Sequence, residues 1–171
     1  MTTLVIGLGN PILTDDGAGI YAVRMVQQAL PPDADVEVVE LAVGGLGLME
    51  TMIGYDRAII VDSVWAPKDQ VGQIIRFDAG HLAETMNSAS AHDADLPTAL
   101  RVGRDLGASL PADEDIQIIG VTAREVLEFG AEPTPPVAAA VPEAAAVVFD
   151  LLDCPPMFDV RTLSPADCWR L

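Results

Sequence analysis

Residues 4–19 read Leu-Val-Ile-Gly-Leu-Gly-Asn-Pro-Ile-Leu-Thr-Asp-Asp-Gly-Ala-Gly, and they contain the change from strand to helix that sets the fold class. Residues 4–6 favour β-structure, and the two glycines that follow break the run. Apolar residues then recur at near-helical spacing, at Ile20, Val23, Val26 and Leu30. A strand, a tight turn and an amphipathic helix in this order are typical of an α/β fold.

The rest of the chain continues this alternation. The pattern predicts strands at residues 36–39, 58–61, 72–77 and 116–121, and helices near 46–53, 96–106 and 134–152, the last kinked or split at Pro142. Residues 79–93 lack a period and are expected to form a loop. Residues 63–71 are too few for a helical crossover, so strand 72–77 is expected to run antiparallel. We therefore expect one three-layer α/β/α domain, residues 1–152, with a mostly parallel sheet of five strands and an irregular tail, residues 153–171.

The charge balance excludes several classes of function. The chain has 171 residues with 26 acidic and 9 basic side chains, a formal net charge of −17 and a pI near 4.1. Binding to nucleic acids or anionic membranes depends on clustered Lys and Arg, so neither partner is expected. Two cysteines, Cys154 and Cys168, form neither a disulfide framework nor a zinc-binding spacing. Without a signal-peptide pattern or a transmembrane run, a cytoplasmic protein is expected.

Acidic residues stand where the first and third predicted strands end. Asp15 and Asp16 lie at the strand-to-helix junction, where they are also candidates for helix capping with Thr14. Asp62 follows the apolar run at 58–61 and is expected to terminate that strand. Because the carboxyl ends of parallel strands meet at one edge of a sheet, these carboxylates are candidates for chemistry there. One cap needs only one acid, which leaves Asp16 available for another role.

The chain has two histidines, His81 and His92. A histidine in a loop can simply be a surface residue, but His92 precedes the predicted helix at 96–106 and could meet Asp16 and Asp62. Two carboxylates and one imidazole form a ligand set suited to Zn, Ni or Mn, and equally a set of bases and acids for attack of water on an amide. A dinucleotide site is disfavoured, because Ile12 replaces the third glycine of G-x-G-x-x-G and the acidic pair would repel phosphate.

Several stretches together resemble the [NiFe]-hydrogenase maturation endopeptidases. Residues 4–19 look like the opening motif of that family, and Ala-Ile-Ile-Val-Asp-Ser-Val at 58–64 resembles its second acidic motif. Ser-Ala-His-Asp-Ala-Asp-Leu at 90–96 resembles its histidine segment, and residues 118–121 with the helix near Glu143 resemble its closing elements. The resemblance covers residues 3–152 in the same order. The family often has Glu where Asp16 stands, and leucine is common where Pro133 stands.

This resemblance implies a phosphorylase/hydrolase-like fold and an aspartyl-type endopeptidase. Members remove the C-terminal extension of the hydrogenase large-subunit precursor after nickel insertion. The resemblance gives Asp16, Asp62 and His92 the roles of nickel-contacting and catalytic residues. Nickel would arrive with the precursor, which is the expected partner, so no tightly bound cofactor of the chain's own is expected. Either a carboxylate base or a metal-polarised carbonyl would serve the attack of water.

Two other interpretations stay open. Peptidyl-tRNA hydrolases also begin with a strand and a Gly-Leu-Gly/Ala-Asn-Pro turn, but that family needs a basic, histidine-containing segment where this chain has Asp15-Asp16-Gly17. A non-catalytic accessory protein that binds nickel or a hydrogenase subunit would use the same ligands as the protease. Only an assay of cleavage separates the accessory protein from the enzyme.

Overall fold

The computed structural model describes residues 1–84, 96–164, 166 and 168, and these residues contain one sheet of five strands. The strands are β1 (Thr3–Leu8), β2 (Val36–Leu41), β3 (Arg57–Trp65), β4 (Ile74–Asp78) and β5 (Ile116–Ala123). Their order across the sheet is β2-β1-β3-β5-β4. β4 runs antiparallel to β5, and the other neighbouring pairs are parallel. The predicted mixed sheet with one antiparallel strand is confirmed.

Helices cover both faces of the sheet. They are α1 (Ala18–Ala29), α2 (Gly45–Thr51), α3 (Ala79–Glu84), α4 (Leu96–Asp105) and α5 (Pro135–Leu151). α1 and α5 pack against one face, whereas α2, α3 and α4 pack against the other. Among the described residues, no helix has the length and apolar character needed to span a membrane.

Alternate residues of the central strand β3 face the two helical layers. Ile59 and Val61 belong to the core under α1 and α5, and Ala58 and Ile60 belong to the core under α2 and α4. Because helices cover both faces, residues 58–61 of the strand are all apolar, as the sequence predicts. The same alternation places residue 62 on the α2–α4 face and residue 63 on the α1–α5 face.

The prediction that β3 ends at Asp62 is wrong. The strand continues to Trp65, because β5 pairs with its carboxyl half and places Gly120 opposite Asp62. A polar residue in this strand therefore interrupts the apolar run without ending the hydrogen-bonded ladder. Asp62 and the residues before and after it pair with β5. This pairing fixes the Asp62 side chain more firmly than a loop would.

The prediction of a loop at residues 79–93 is wrong for its first part. Residues 79–84 form α3, in which Ala79 and Leu82 are buried in the core under α2 and α4. A helix of six residues is too short to show a helical period in the sequence. Residues 85–93, the remainder of the predicted loop, lie outside the described residues.

The chain after β5 forms one long helix and then an irregular tail. Pro142 does not split α5, which runs from Pro135 to Leu151 as a single helix. In the tail, Val160 and Cys168 are buried in the core under α1 and α5. Arg24 of α1 donates a hydrogen bond of 2.9 Å to the backbone carbonyl of Cys168. The tail therefore covers the α1–α5 layer, and a domain boundary at residue 152 stays a prediction.

Helix α1 lies so close to the sheet that only glycine fits at its second position. A Cβ atom on Gly19 would lie 2.2 Å from the Val61 carbonyl oxygen and 2.4 Å from the Leu8 carbonyl oxygen. We expect Gly19→Ala to lower the free energy of unfolding by about 3 kcal/mol, because two strands or the helix must move. Urea denaturation measures this change. The control is Gly47→Ala in α2, where the new Cβ meets only side-chain atoms of Val43 and the effect should stay within about 1 kcal/mol. Equal stability of the two variants would contradict the close approach.

Candidate active site

The carboxyl ends of β1, β3 and β5 lie side by side in the sheet. The segments that follow these strands are residues 9–17, 66–73 and 124–134, and we call the surface that they form the carboxyl edge. In open α/β sheets, ligands bind outside the carboxyl ends of the strands. The carboxyl edge is therefore the place to look for the predicted acidic residues.

Asp16 lies in the 3₁₀ turn Thr14–Gly17, between β1 and α1, and only 6% of its surface is exposed. One carboxylate oxygen, Oδ2, accepts a hydrogen bond of 2.9 Å from the backbone N–H of Asn10. The other oxygen, Oδ1, accepts a hydrogen bond of 3.1 Å from the hydroxyl of Ser63 in β3. Asp16 therefore connects the turn after β1 to the carboxyl half of β3.

Glycine is required where the turn after β1 passes this carboxylate. Gly9 has a φ of +138°, and a Cβ atom there would lie 1.9 Å from the backbone carbonyl oxygen of Asp16. Farther along, the Tyr21 hydroxyl donates a hydrogen bond of 2.8 Å to the Pro11 carbonyl oxygen and ties the turn to α1. Burial raises the pKa of Tyr21, so the hydroxyl remains a donor at neutral pH. Gly9 thus allows close packing of the backbone around Asp16.

Asp62 is completely buried in β3 and lies on the face that α2, α3 and α4 cover. Its Oδ1 atom accepts a hydrogen bond of 2.8 Å from the backbone N–H of Ser63. The hydroxyl of the same serine binds Asp16, so two contacts of one residue connect the two predicted carboxylates. Ser63 therefore links the turn that carries Asp16 to the part of β3 that carries Asp62.

Asp15 has a different role from its neighbour. It is completely buried, and its carboxylate accepts hydrogen bonds from the Thr134 backbone N–H at 2.7 Å and the Thr134 hydroxyl at 3.0 Å. A longer bond of 3.3 Å comes from the Glu125 backbone N–H. Neither this carboxylate nor Thr14 or Asp16 makes a side-chain capping bond at α1, whose N-cap residue is Gly17. None of the three capping candidates caps α1, and Asp15 instead binds a segment more than 100 residues away in the chain.

Further bonds fasten residues 124–134 to the turn that carries Asp16. The Thr14 hydroxyl donates to the Glu128 carbonyl oxygen at 2.7 Å, and the Thr14 N–H donates to the Gly130 carbonyl oxygen at 3.2 Å. Thr14 has a φ of 32°, which is unusual for a residue with a side chain. Sequence reasoning missed Ser63 and Thr134 as positioning residues. Adjacency to Asp62 could have indicated Ser63, but no local signal indicates Thr134.

The two histidines have different standing. His81 lies in α3, and its ring Nδ1 is 2.8 Å from Oδ1 of Asp78. Hydrogen bonds from the His81 backbone and ring hold the pKa of Asp78 below its usual value. Asp78 pairs with Gln117 near the amino end of β5, whereas Asp62 pairs with Gly120 farther along the same strand. His81, which contacts Asp78, therefore lies toward the amino ends of the parallel strands and away from the carboxyl edge. This agrees with its predicted place outside the site, whereas His92 lies outside the described residues.

Comparison with known families shows to which family this chain belongs. A family model described as hydrogenase maturation protease matches residues 20–151, which include Asp62 and His92. The chain belongs to the hydrogenase maturation protease family. The turn with Asp16 precedes the matched range and is not part of the family match. The structural observation on Asp16 is its hydrogen bonds with Asn10 and Ser63.

Relatives of this maturation protease family member agree in sequence and in fold. The chain is 32% identical over 105 residues to the hydrogenase 2 maturation protease of Escherichia coli K12, and the match covers 59% of this chain and 64% of that relative. The structure of the hydrogenase maturating endopeptidase HybD from E. coli has a TM-score of 0.74 at 29% identity, covering 88% of this chain and 91% of the other. The [NiFe] hydrogenase maturation protease HybD from Thermococcus kodakarensis has a TM-score of 0.71 at 26% identity, covering 90% and 100%.

The arrangement in this family member suits attack on a peptide bond near a metal ion. Two carboxylates on separate chain segments can act as oxygen ligands or as bases, and hydrogen bonds from Ser63 and Asn10 fix their orientation. Within residues 1–84, 96–164, 166 and 168, no group of three or more His, Cys, Asp or Glu side chains is arranged to hold a metal. The third predicted ligand, His92, stays a prediction.

The buried Asp15 gives a test of how the carboxyl edge is held together. We expect Asp15→Asn to lower the free energy of unfolding by about 2–3 kcal/mol, because an amide oxygen replaces a charged acceptor of three buried hydrogen bonds. The measurement is urea denaturation followed by circular dichroism. Asp33→Asn, at an exposed position, removes the same charge and should leave stability nearly unchanged. A loss no larger than that of Asp33→Asn would show that the contact with Thr134 is dispensable.

Proposed function

We propose that this chain is the endopeptidase that removes the C-terminal extension from a [NiFe]-hydrogenase large-subunit precursor after nickel insertion. Asp16, Asp62 and His92 would contact the nickel that the precursor carries. The observation that carries the proposal is that Ser63 donates hydrogen bonds to both Asp16 and Asp62 in a hydrogenase maturation protease fold. Carboxylate and imidazole side chains together suit nickel.

The proposed reaction is hydrolysis of one peptide bond. The oxygen of a water molecule adds to the scissile carbonyl carbon, the C–N bond breaks, and the two protons of the water end on the departing amine. The products are a carboxylate and an ammonium group. Asp16 or Asp62 could accept the first proton as a general base, and nickel on the precursor could polarise the carbonyl. Ser63 orients Asp16 for either role, because its hydroxyl donates to the carboxylate.

The proposed recognition of nickel makes cleavage conditional on metal loading. If the ion on the precursor is what the carboxylates hold, a precursor without nickel presents nothing for them to bind. We place the enzyme in the cytoplasm, because Cys154 and Cys168 are not joined in a disulfide, as is usual for proteins of a reducing compartment. The net charge of −17 argues against nucleic acid or an anionic membrane as a partner.

The experiment that tests the function uses the purified chain and a large-subunit precursor from the same source. Nickel-loaded and nickel-free precursor are incubated with the protein, and intact-mass spectrometry measures the loss of the extension. Cleavage of the loaded form alone supports the proposal. Binding to the loaded precursor without any change of mass would instead favour a non-catalytic accessory protein.

A further inference from the structure

A cavity of about 350 Å³ opens at the carboxyl edge next to the candidate active site. Lys68, which follows β3, and Arg124, which follows β5, both line it, as do Val71 and Pro136. The buried Asp15 also reaches this cavity and is the direct neighbour of Asp16 in the chain. The cavity therefore adjoins the turn that carries Asp16, although neither Asp16 nor Asp62 is among its described lining residues.

The cavity brings together two of the nine basic side chains of this acidic chain. Acidic residues outnumber basic ones by 26 to 9, and Arg24, Arg104 and Arg161 each form an ion pair with a carboxylate of the chain. Within the described part of the chain, no ion pair is formed by Lys68 or Arg124, and both are exposed. Lys68 is also the single lysine of the sequence. Two exposed cations at one cavity, neither in an ion pair with a described residue, favour an anionic ligand from outside.

The acidic residues of the cavity weaken this attraction only in part. Asp15 directs its carboxylate toward the Thr134 and Glu125 backbones, and three hydrogen bonds already satisfy it. Among the described residues, Glu125 is the other acidic side chain of the lining, and it would compete with an external anion for the two cations. Removing the charges of Lys68 and Arg124 should therefore weaken the binding of an anion, and removing the charge of Glu125 should strengthen it.

We propose that Lys68 and Arg124 bind a carboxylate of the peptide segment that the protein cleaves from its substrate. The proposal rests on the proposed endopeptidase function and names a specificity site for it. A peptide bond held near Asp16 and Asp62 places the adjoining residues within a few extended positions of the cavity, since an extended chain advances about 3.3 Å per residue. The carboxylate comes either from the C-terminus of the segment or from an acidic side chain within it.

The test compares steady-state cleavage of nickel-loaded precursor by four proteins. They are the wild type, the double variant Lys68→Gln/Arg124→Gln, Glu125→Gln and Arg57→Gln. Arg57 begins β3 at the opposite end of the strand, so it controls for loss of positive charge away from the cavity. We expect the double variant to raise KM about tenfold with little change in kcat, because two exposed ionic contacts of moderate strength are lost. Glu125→Gln should lower KM, and Arg57→Gln should leave both constants unchanged.

Two modified precursors then identify the source of the carboxylate. One ends in a C-terminal amide, and the other has Gln or Asn at the acidic residues of its extension. One of the two should raise KM for the wild type to the value of the double variant while leaving the double variant unaffected. If neither modification changes KM, or if the double variant behaves like Arg57→Gln, the carboxylate proposal is overturned while the endopeptidase function stands. If the wild type leaves the nickel-loaded precursor intact, the proposed function itself fails.

Discussion

Replacing Asp62 by alanine is expected to slow removal of the precursor extension by roughly 10²- to 10⁴-fold, the range associated with loss of a catalytic acid or base. The reason is geometric as well as chemical. Asp62 is completely buried in a strand that is paired on both sides, so the fold holds its carboxylate in a fixed position. The cleavage rate of nickel-loaded precursor, followed by intact mass, measures the effect.

Stability must be separated from catalysis in this experiment. Asp62→Asn keeps the shape of the side chain and removes its charge, so the variant should fold and still lose activity. Asp16→Asn is expected to lose activity in the same way, because it weakens the acceptor for both Asn10 and Ser63. The matched control is Asp78→Asn, which removes a charge near the opposite edge of the sheet and should cleave normally. Wild-type activity in a folded Asp62→Asn variant would remove Asp62 from the site.

His92→Ala is the second substitution expected to abolish processing, with a similar loss of roughly 10²- to 10⁴-fold. The assignment of His92 rests on its sequence context and on its predicted role as the nitrogen ligand beside two carboxylates. His81→Ala is the natural control, because the chain has only these two histidines. His81 contacts Asp78 away from the carboxyl edge, so its loss should leave the rate of cleavage unchanged.

Parallel assays of the two histidine variants show which histidine is needed for cleavage. Both proteins are incubated in parallel with nickel-loaded precursor, and circular dichroism verifies that both are folded. Full activity of His92→Ala would contradict the assignment. An inactive but folded His81→Ala would show that the other histidine is the functional one.

Local patterns in the sequence predicted the elements of this fold better than their ends. The run at 58–61 indicated a strand covered on both faces, and Ile59 and Ile60 do contact opposite cores. The same run could not show that the strand continues past Asp62, because that extension depends on pairing with β5. Pairing partners far apart in the chain leave no periodic signal near the residue that they stabilise.

The sequence likewise indicates only part of the candidate site. The sequence indicated that Asp16 lies at the junction of β1 and α1 and that Asp62 follows the apolar run of β3, but it placed Asp62 at the end of the strand instead of inside it. The separate role of Asp15 was not visible, since its acceptor contacts come from Thr134 and Glu125. Ser63 lies beside Asp62 in the chain, yet only the fold shows that its hydroxyl reaches Asp16.

The position of β5 between β3 and β4 has a consequence for how the chain folds. β3 and β4 follow each other in sequence, but a whole strand separates them in the sheet. The central pairing joins Ala58 to Ile116, so half of the sheet cannot close until a long loop has been made. Such distant pairings slow folding. During synthesis, the apolar edge of β3 emerges well before its partner and must avoid association with other chains until β5 arrives.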